Sequence, residues 1–261
     1  MTSDGVTIAI PNWNHELFLP RSISSALAAV KQLREAGIGG EVLVVDDQSR
    51  DGSVALLRQL EALYFDQGLR VLALKTNGGV CRARNQALLY ARYRHVVLMD
   101  ADNEIVPENV ACFHRAMTDT GAAVVYGNLI VKNWSGAAMQ ILSNESFQPR
   151  MFEQNYIDNF AMVDRRQAFD LIGGYHSNPR IQSFGDWEFF LSLAVNGARL
   201  VFVPVVMGIY YQLPGSMVQE NLERNRDELA LIHRTYDQVG IRQRMPVNTR
   251  HLRYHPDVGY C

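Results

Sequence analysis

Residues 95–107 read His95-Val96-Val97-Leu98-Met99-Asp100-Ala101-Asp102-Asn103-Glu104-Ile105-Val106-Pro107. Val96 to Met99 is a short continuous apolar run, the pattern of a strand buried on both faces. It ends abruptly in Asp100-Ala101-Asp102-Asn103. Pro107 and Glu108 then supply the start and the acidic first turn of a helix. Two carboxylates two residues apart at a strand tip repel each other unless a positive charge lies between them. A hard divalent cation completed by phosphate oxygens would supply that charge. A turn in which both Asp side chains accept backbone amides is the alternative.

Working outward, strand and helix patterns alternate on both sides of this run. Val6–Ile10 reads as a strand, and the helix from Pro20 to about Gly37 carries Ile23, Leu27, Val30 and Leu33 on one stripe. Strand Glu41–Val45 precedes a helix with Val54, Leu57, Leu60 and Tyr64. Strand Arg70–Leu74 precedes a helix over Val80–Tyr93. After the strand at 95–99, a helix from Pro107 to Thr118 and a strand at Ala122–Tyr126 complete the alternation. Short connections between alternating elements predict an α/β fold with right-handed crossovers and a mostly parallel sheet flanked by helices. In such sheets ligands bind at the carboxyl ends of the strands. Pro11–Asn14, Asp46–Asp51, Asn77–Gly79 and Asp100–Asn103 all fall there, so four polar clusters converge on one edge.

Periodicity weakens over 127–160. Beyond it come a strand at Ala161–Val163, a helix at Arg165–Leu171 closed by Gly173-Gly174, and an apolar helix at Phe189–Val195. Strands at Arg199–Val203 and Met207–Tyr211 follow, then a tail helix with Val218, Leu222, Leu229, Ile232 and Tyr236 on one face. Its polar face carries Glu220, Glu223, Arg224, Asp227 and Glu228. The organisation expected is a nucleotide-binding half at 1–126, an acceptor and catalytic half at 127–215, and a C-terminal helix with a basic tail at 216–261.

The 261 residues carry a net charge of −2, which offers no global basic field for nucleic acid. Cys81, Cys112 and Cys261 are an odd, scattered set without CxxC, and the seven histidines show no metal-binding spacing. No apolar run reaches the ~18 residues of a membrane span, and MTSDGVTIAIP lacks the features of a signal peptide. The expectation is a cytoplasmic protein. The basic stretch Arg242–Arg253 offers a peripheral contact with anionic lipid at the inner membrane face.

Six ordered motifs resemble family 2 glycosyltransferases: IPNWN at 10–14, VVDDQSRDGS at 44–53, NGGVCRARNQAL at 77–88, LMDADN at 98–103, GGY at 173–175 and GDWEFF at 185–190. The resemblance covers about residues 5–215. It implies a GT-A fold, a Rossmann-like central sheet with an acceptor-side subregion and a C-terminal helical tail. It further implies a nucleotide-sugar donor (a UDP-sugar by family tendency), Mg2+ or Mn2+, and inversion in transfer to a glycan or lipid-linked hydroxyl. No GxGxxG or GKS/T loop is present, and PNWNHE at 11–16 is not the glycine-rich phosphate loop of a nucleotidyltransferase, the nearest rival. A non-catalytic relative is the other rival; it would be expected to lack the metal acid or the base.

Carried onto this sequence, the resemblance puts Pro11, Asn12, Trp13 and Asn14 along the nucleobase, with Trp13 replacing a frequent Tyr. Asp47 faces the base, and Asn77, Arg82 and Arg84 belong to the nucleotide segment. One of these arginines approaches the nucleotide and the other pairs with an acid; the sequence leaves open which. Asp100 contacts the ribose, or the metal through water, while Asp102 binds the metal. Asp186 is the general base, with helix capping as its alternative role, and Gly174, Trp187 and Glu188 lie on the acceptor side. The family's histidine after the last strand is missing from Tyr210–Met217, where 213–217 is expected to act as a lid.

Overall fold

A computed structural model of the chain describes residues 4–133, 135–143, 145–178, 180–181, 183–213, 222–237, 254–255 and 259–260. The first half follows the alternating pattern: β1 (Gly5–Asn12), α1 (Leu19–Glu35), β2 (Gly39–Asp46), α2 (Ser53–Tyr64), β3 (Leu69–Ala73), α3 (Val80–Tyr90) and β4 (His95–Leu98). β5 (Glu104–Ile105), a 3-10 turn at Pro107–Asn109 and α4 (Val110–Thr120) follow. The second half comprises β6 (Val124–Asn133), β7 (Ala138–Leu142), β8 (Met162–Asp164), α5 (Arg165–Ile172), α6 (Gly185–Val195), β9 (Leu200–Gln212) and α7 (Leu222–Asp237).

The strands form one sheet in the order β3-β2-β1-β4-β8-β6-β9-β5, with β7 paired to β6. β3, β2, β1 and β4 are parallel neighbours, as the short strand–helix–strand connections require. The parallel run stops at β8, which pairs antiparallel with both β4 and β6. A strand distant in sequence therefore separates 95–98 from 124–133, so the sheet is mixed in its second half. Every β1 and β4 residue is buried. One core layer packs Val6, Ile8 and Ile10 against α1 and α4, and the other packs Ala9, Val96 and Leu98 against α3 and α6.

Several boundaries differ from the periodicity for local reasons. α3 stops at Tyr90 because Ala91 turns to φ −55°, ψ 133°, and the Arg92 amide goes to the buried Glu41 carboxylate at 2.6 Å. Glu41 also receives the Thr7 hydroxyl and the Arg70 guanidinium, which makes burial of its charge tolerable. The two short strands at 199–203 and 207–211 are one strand, β9. Its parallel register with β6 shifts around Asn128, and this absorbs the break in the apolar pattern. β6 runs on to Asn133, into the stretch where periodicity fails, so residue 126 lies inside a strand. α6 begins at Gly185 rather than Phe189. The tail helix is described from Leu222; Val218, Glu220, residues 214–217 and the basic stretch 242–253 lie outside the described residues.

Candidate active site

Three of the four strand-end clusters are joined to one another by hydrogen bonds, and the fourth is held by arginines of the flanking helices. Asn12 Nδ2 donates to Asp46 Oδ2 at 2.7 Å, and the Asn14 amide donates to Ser49 Oγ at 2.9 Å. Asn14, at φ 59°, returns its Oδ1 to the Arg50 amide at 2.7 Å. These contacts tie the β1 loop to the β2 loop. Asp47 then ties the β2 loop to the β3 loop by accepting the amides of Gly78 and Gly79, the latter at 2.7 Å, while Asn77 Nδ2 donates to the Asp47 carbonyl. Asp47 is only 2% exposed, so in this structure its carboxylate organises the 77–79 loop. Trp13 takes the opposite position: its ring is 49% exposed on the site's rim and is not part of the core.

The arginines of α3 separate into two roles. Arg84 is buried and donates through Nη2 to both Asp100 oxygens, at 3.0 and 3.3 Å. Burial works against its charge, but Asp100 foremost, with smaller contributions that include Asp186, holds it protonated. Arg82 is half exposed; it bonds to Thr76 and lies 3.9 Å from Asp47. The next residue, Asn85, accepts the Tyr175 amide at 2.7 Å and donates to the Tyr175 carbonyl at 2.8 Å. One helix face thus fixes both the Asp100 turn and the 173–175 turn. Gly174 sits at φ +91°, and a Cβ there would come within 2.5 Å of Asn85 Oδ1, so no larger residue fits this turn.

The Asp100–Asn103 turn is closed by the Asn103 amide on the Asp100 carbonyl. Arg21 of α1 donates to the Asp102 carbonyl at 2.6 Å, and its guanidinium lies 3.7 Å from the Tyr211 ring centroid. Tyr211 in turn donates its amide to Asn103 Oδ1 and its hydroxyl to Glu104. β9 and α1 therefore clamp the turn from two sides. Burial, followed by the neighbouring Asp100 charge, pushes the Asp102 carboxyl up to about 6.

Asp186 lies in the first turn of α6, whose cap residue is Phe184. Its Oδ1 accepts the first-turn amide of the next residue, Trp187, at 2.8 Å, although Asp186 is inside the helix and not its cap residue. Burial raises its pKa, Arg84 opposes this, and Asp100 adds to it. Trp187, expected on the acceptor side, is 1% exposed, and its Nε1 donates to the Met151 carbonyl at 2.6 Å. Its side chain belongs to the core beneath the site. Glu188 receives the Tyr236 hydroxyl at 2.7 Å.

Sequence reasoning missed Arg21, Asp158 and Tyr210. Asp158 is pushed up to about 7 by burial and then by Asp186 and Asp100, and Tyr210 is raised by burial and then by Asp158, Asp102 and Asp100. Asp158 lies in the stretch without periodicity. Tyr210 lies in a plain apolar strand pattern, with no local signal that sets it apart.

Among the described residues, no three His, Cys, Asp or Glu side chains are grouped to hold a metal by themselves. Asp102 and Asp100 nevertheless suit a cation completed by phosphate and water. The Asp100 charge disfavours that of Asp102, and the Arg84 guanidinium is bonded to Asp100.

The fold is that of the GT-A glycosyltransferases. It resembles S. aureus TarS 1-349 in complex with UDP-GlcNAc (TM-score 0.67, 19% identity, 90% of this chain and 70% of that one). It equally resembles the mannosyltransferase PcManGT from Pyrobaculum calidifontis in complex with GDP-Man and Mn2+ (TM-score 0.67, 18% identity, 90% and 65%). At those identities the likeness establishes the fold alone. The sequence makes the assignment narrower: residues 7–175 match the model of Glycosyl transferase family 2, and the chain belongs to that family. The succinoglycan biosynthesis protein ExoO of Rhizobium meliloti (strain 1021) is 31% identical over 138 residues, 53% of this chain and 37% of ExoO. The putative teichuronic acid biosynthesis glycosyltransferase TuaG of Bacillus subtilis (strain 168) is 30% identical over 196 residues, 74% of this chain and 73% of TuaG. The chain thus spans well under half of ExoO and most of TuaG. No helix among the described residues is long and apolar enough to cross a membrane.

Proposed function

We propose that the chain transfers a sugar, with inversion, from a nucleoside-diphosphate sugar to a hydroxyl of a glycan or lipid-linked acceptor, with a UDP-sugar as the first donor to test. The carrying observation is the hydrogen-bonded linkage of the first three strand-end loops through Asp46 and Asp47, with Arg84 of the adjoining helix holding Asp100 and its charge acting on the buried Asp186. ExoO is named for succinoglycan biosynthesis and TuaG as a putative teichuronic acid biosynthesis glycosyltransferase, which supports this acceptor class.

In this reading the exposed face of Trp13 stacks on the base, and the Pro11–Asn14 backbone lines it. Asp47 shapes the base pocket through the loop it holds, with Asn77 on the same loop. Arg82, half exposed, approaches the diphosphate, and Arg84 keeps Asp100 oriented toward the ribose. Asp102, with Asp100 behind it, would hold Mg2+ or Mn2+, which as a Lewis acid stabilises the charge left on the departing β-phosphate oxygen. Asp186 takes the acceptor's hydroxyl proton while that oxygen forms its bond to the anomeric carbon. The bond to the diphosphate breaks on the opposite face, and its electron pair leaves with the phosphate oxygen. A carboxylate raised by burial is a stronger base than one in water, which suits this role near neutral pH. Gly174 and Glu188 border the acceptor, and Trp187 supports that wall from below.

Calorimetric titration with UDP, GDP and dTDP, each with Mn2+ and with EDTA, tests the donor site. Metal-dependent binding of one nucleotide, lost in Asp102→Ala, is expected. Absence of binding by all three in the presence of metal would overturn the proposal.

A further inference from the structure

The residues matched to the family model end at 175, so neither α6 nor α7 is assigned by it. α7 nevertheless touches the start of α6 at successive positions. Glu228, placed on the solvent face by sequence periodicity, is 1% exposed. Its Oε2 accepts the Ser183 amide at 2.8 Å and the Phe184 amide at 3.3 Å. Phe184 is the residue that enters α6, so this carboxylate holds the chain at the point where the helix begins. One turn further along α7, the His233 ring packs edge-on to Trp187 at 5.4 Å. Beyond it, Tyr236 donates its hydroxyl to Glu188 Oε1 at 2.7 Å. Residues 183, 184, 187 and 188 are therefore all held by α7, while Asp186 between them is bonded to the Trp187 amide and feels the charges of Arg84 and Asp100.

We infer that Glu228 is a positioning residue for Asp186: from the C-terminal helix it anchors the backbone amides of the two residues that lead into α6, and so fixes the direction of the candidate base. A carboxylate near the N-terminal end of a helix also opposes the helix dipole favourably, which keeps this contact closed. The inference rests on the reading of Asp186 as the base.

The test uses the full chain and the sugar form of whichever nucleotide the wild type binds, following release of the nucleoside diphosphate. Glu228→Ala is expected to lower kcat roughly tenfold to a hundredfold, as sub-ångström misplacement of a reacting group does, with the donor KM unchanged. Glu228→Gln keeps a carbonyl acceptor for the two amides and is expected to recover most of kcat. Hydrogen exchange over 183–188 is expected to quicken in Glu228→Ala, and adding it to Asp186→Asn is expected to cost nothing further. An unchanged kcat in Glu228→Ala, while Asp186→Asn is inactive, would overturn the positioning role alone. An unchanged kcat in Asp186→Asn would overturn the base assignment and this inference with it. If Glu228→Gln fails as badly as Glu228→Ala, and both raise KM along with lowering kcat, the contact is merely structural and the inference is overturned.

Discussion

Arg84 Nη2 lies 3.0 Å from Asp100 Oδ1, with the arginine side chain 8% exposed and the aspartate 33% exposed. This pair separates two arginines that the sequence could not tell apart. Removing Arg84 leaves Asp100 and Asp186 facing each other without the cation that offsets them. Arg84→Ala is expected to lose about 3 kcal/mol of stability, the lower end for a broken buried pair, because water reaches Asp100. Arg82→Ala, at a half-exposed site, is expected to stay within about 0.5 kcal/mol of wild type while weakening nucleotide binding. Urea unfolding with calorimetric binding on both variants checks this; equal loss of stability would remove the distinction.

Asp186 and Glu188 stand two residues apart in one helical turn, yet their surroundings differ. Asp186 is raised by burial beside Arg84 and Asp100, whereas Glu188 is engaged by the Tyr236 hydroxyl. Asp186→Asn is expected to reduce turnover by roughly 10²–10⁴, the range for losing a general base, with nucleotide affinity unchanged. Glu188→Gln retains an acceptor for Tyr236 and is expected to lose much less. Steady-state kinetics on the two variants decides this; comparable losses would mean that the carboxylates act together.

The first half of the fold was legible because each strand is a short apolar run closed by a polar cluster, and each helix carries a stripe. Those signals are local. What the sequence does not carry is non-local: β8 (Met162–Asp164) enters between β4 (His95–Leu98) and β6, and no periodicity announces a neighbour that distant. The same holds within the site. Asp100, Asp102 and Asp186 were readable from motifs, whereas Arg21 is an ordinary residue of an amphipathic helix until Tyr211 and Asp102 are seen to meet it. Glu228 likewise read as a solvent-face charge because helical spacing says nothing about the start of another helix lying opposite.

Two buried groups make opposite contributions to stability as pH changes. His95, on β4 with its ring 5.1 Å from that of His114, is pushed down to about 4 by burial and then by His114. Between its ordinary value of 6.5 and about 4 the unfolded chain binds a proton that the native state refuses, so stability falls as pH falls through that window. Asp158, raised from 3.8 to about 7, works the other way. Between those values the native state holds a proton that the unfolded chain has lost, so stability falls as pH rises, and Asp102, held near 6, adds in the same direction. The slopes partly cancel in the wild type and separate on substitution. His95→Phe removes a contribution that falls with pH, so on going from pH 6.5 to 4.5 its Tm is expected to shift upward relative to that of the wild type. Asp158→Asn is expected to raise Tm at pH 7.5 relative to wild type and to change it little at pH 4.5. Calorimetric scans of the three proteins across that range check both signs. A His95→Phe curve that runs parallel to wild type through the acid window would mean that His95 takes up its proton in the folded state at an ordinary pH.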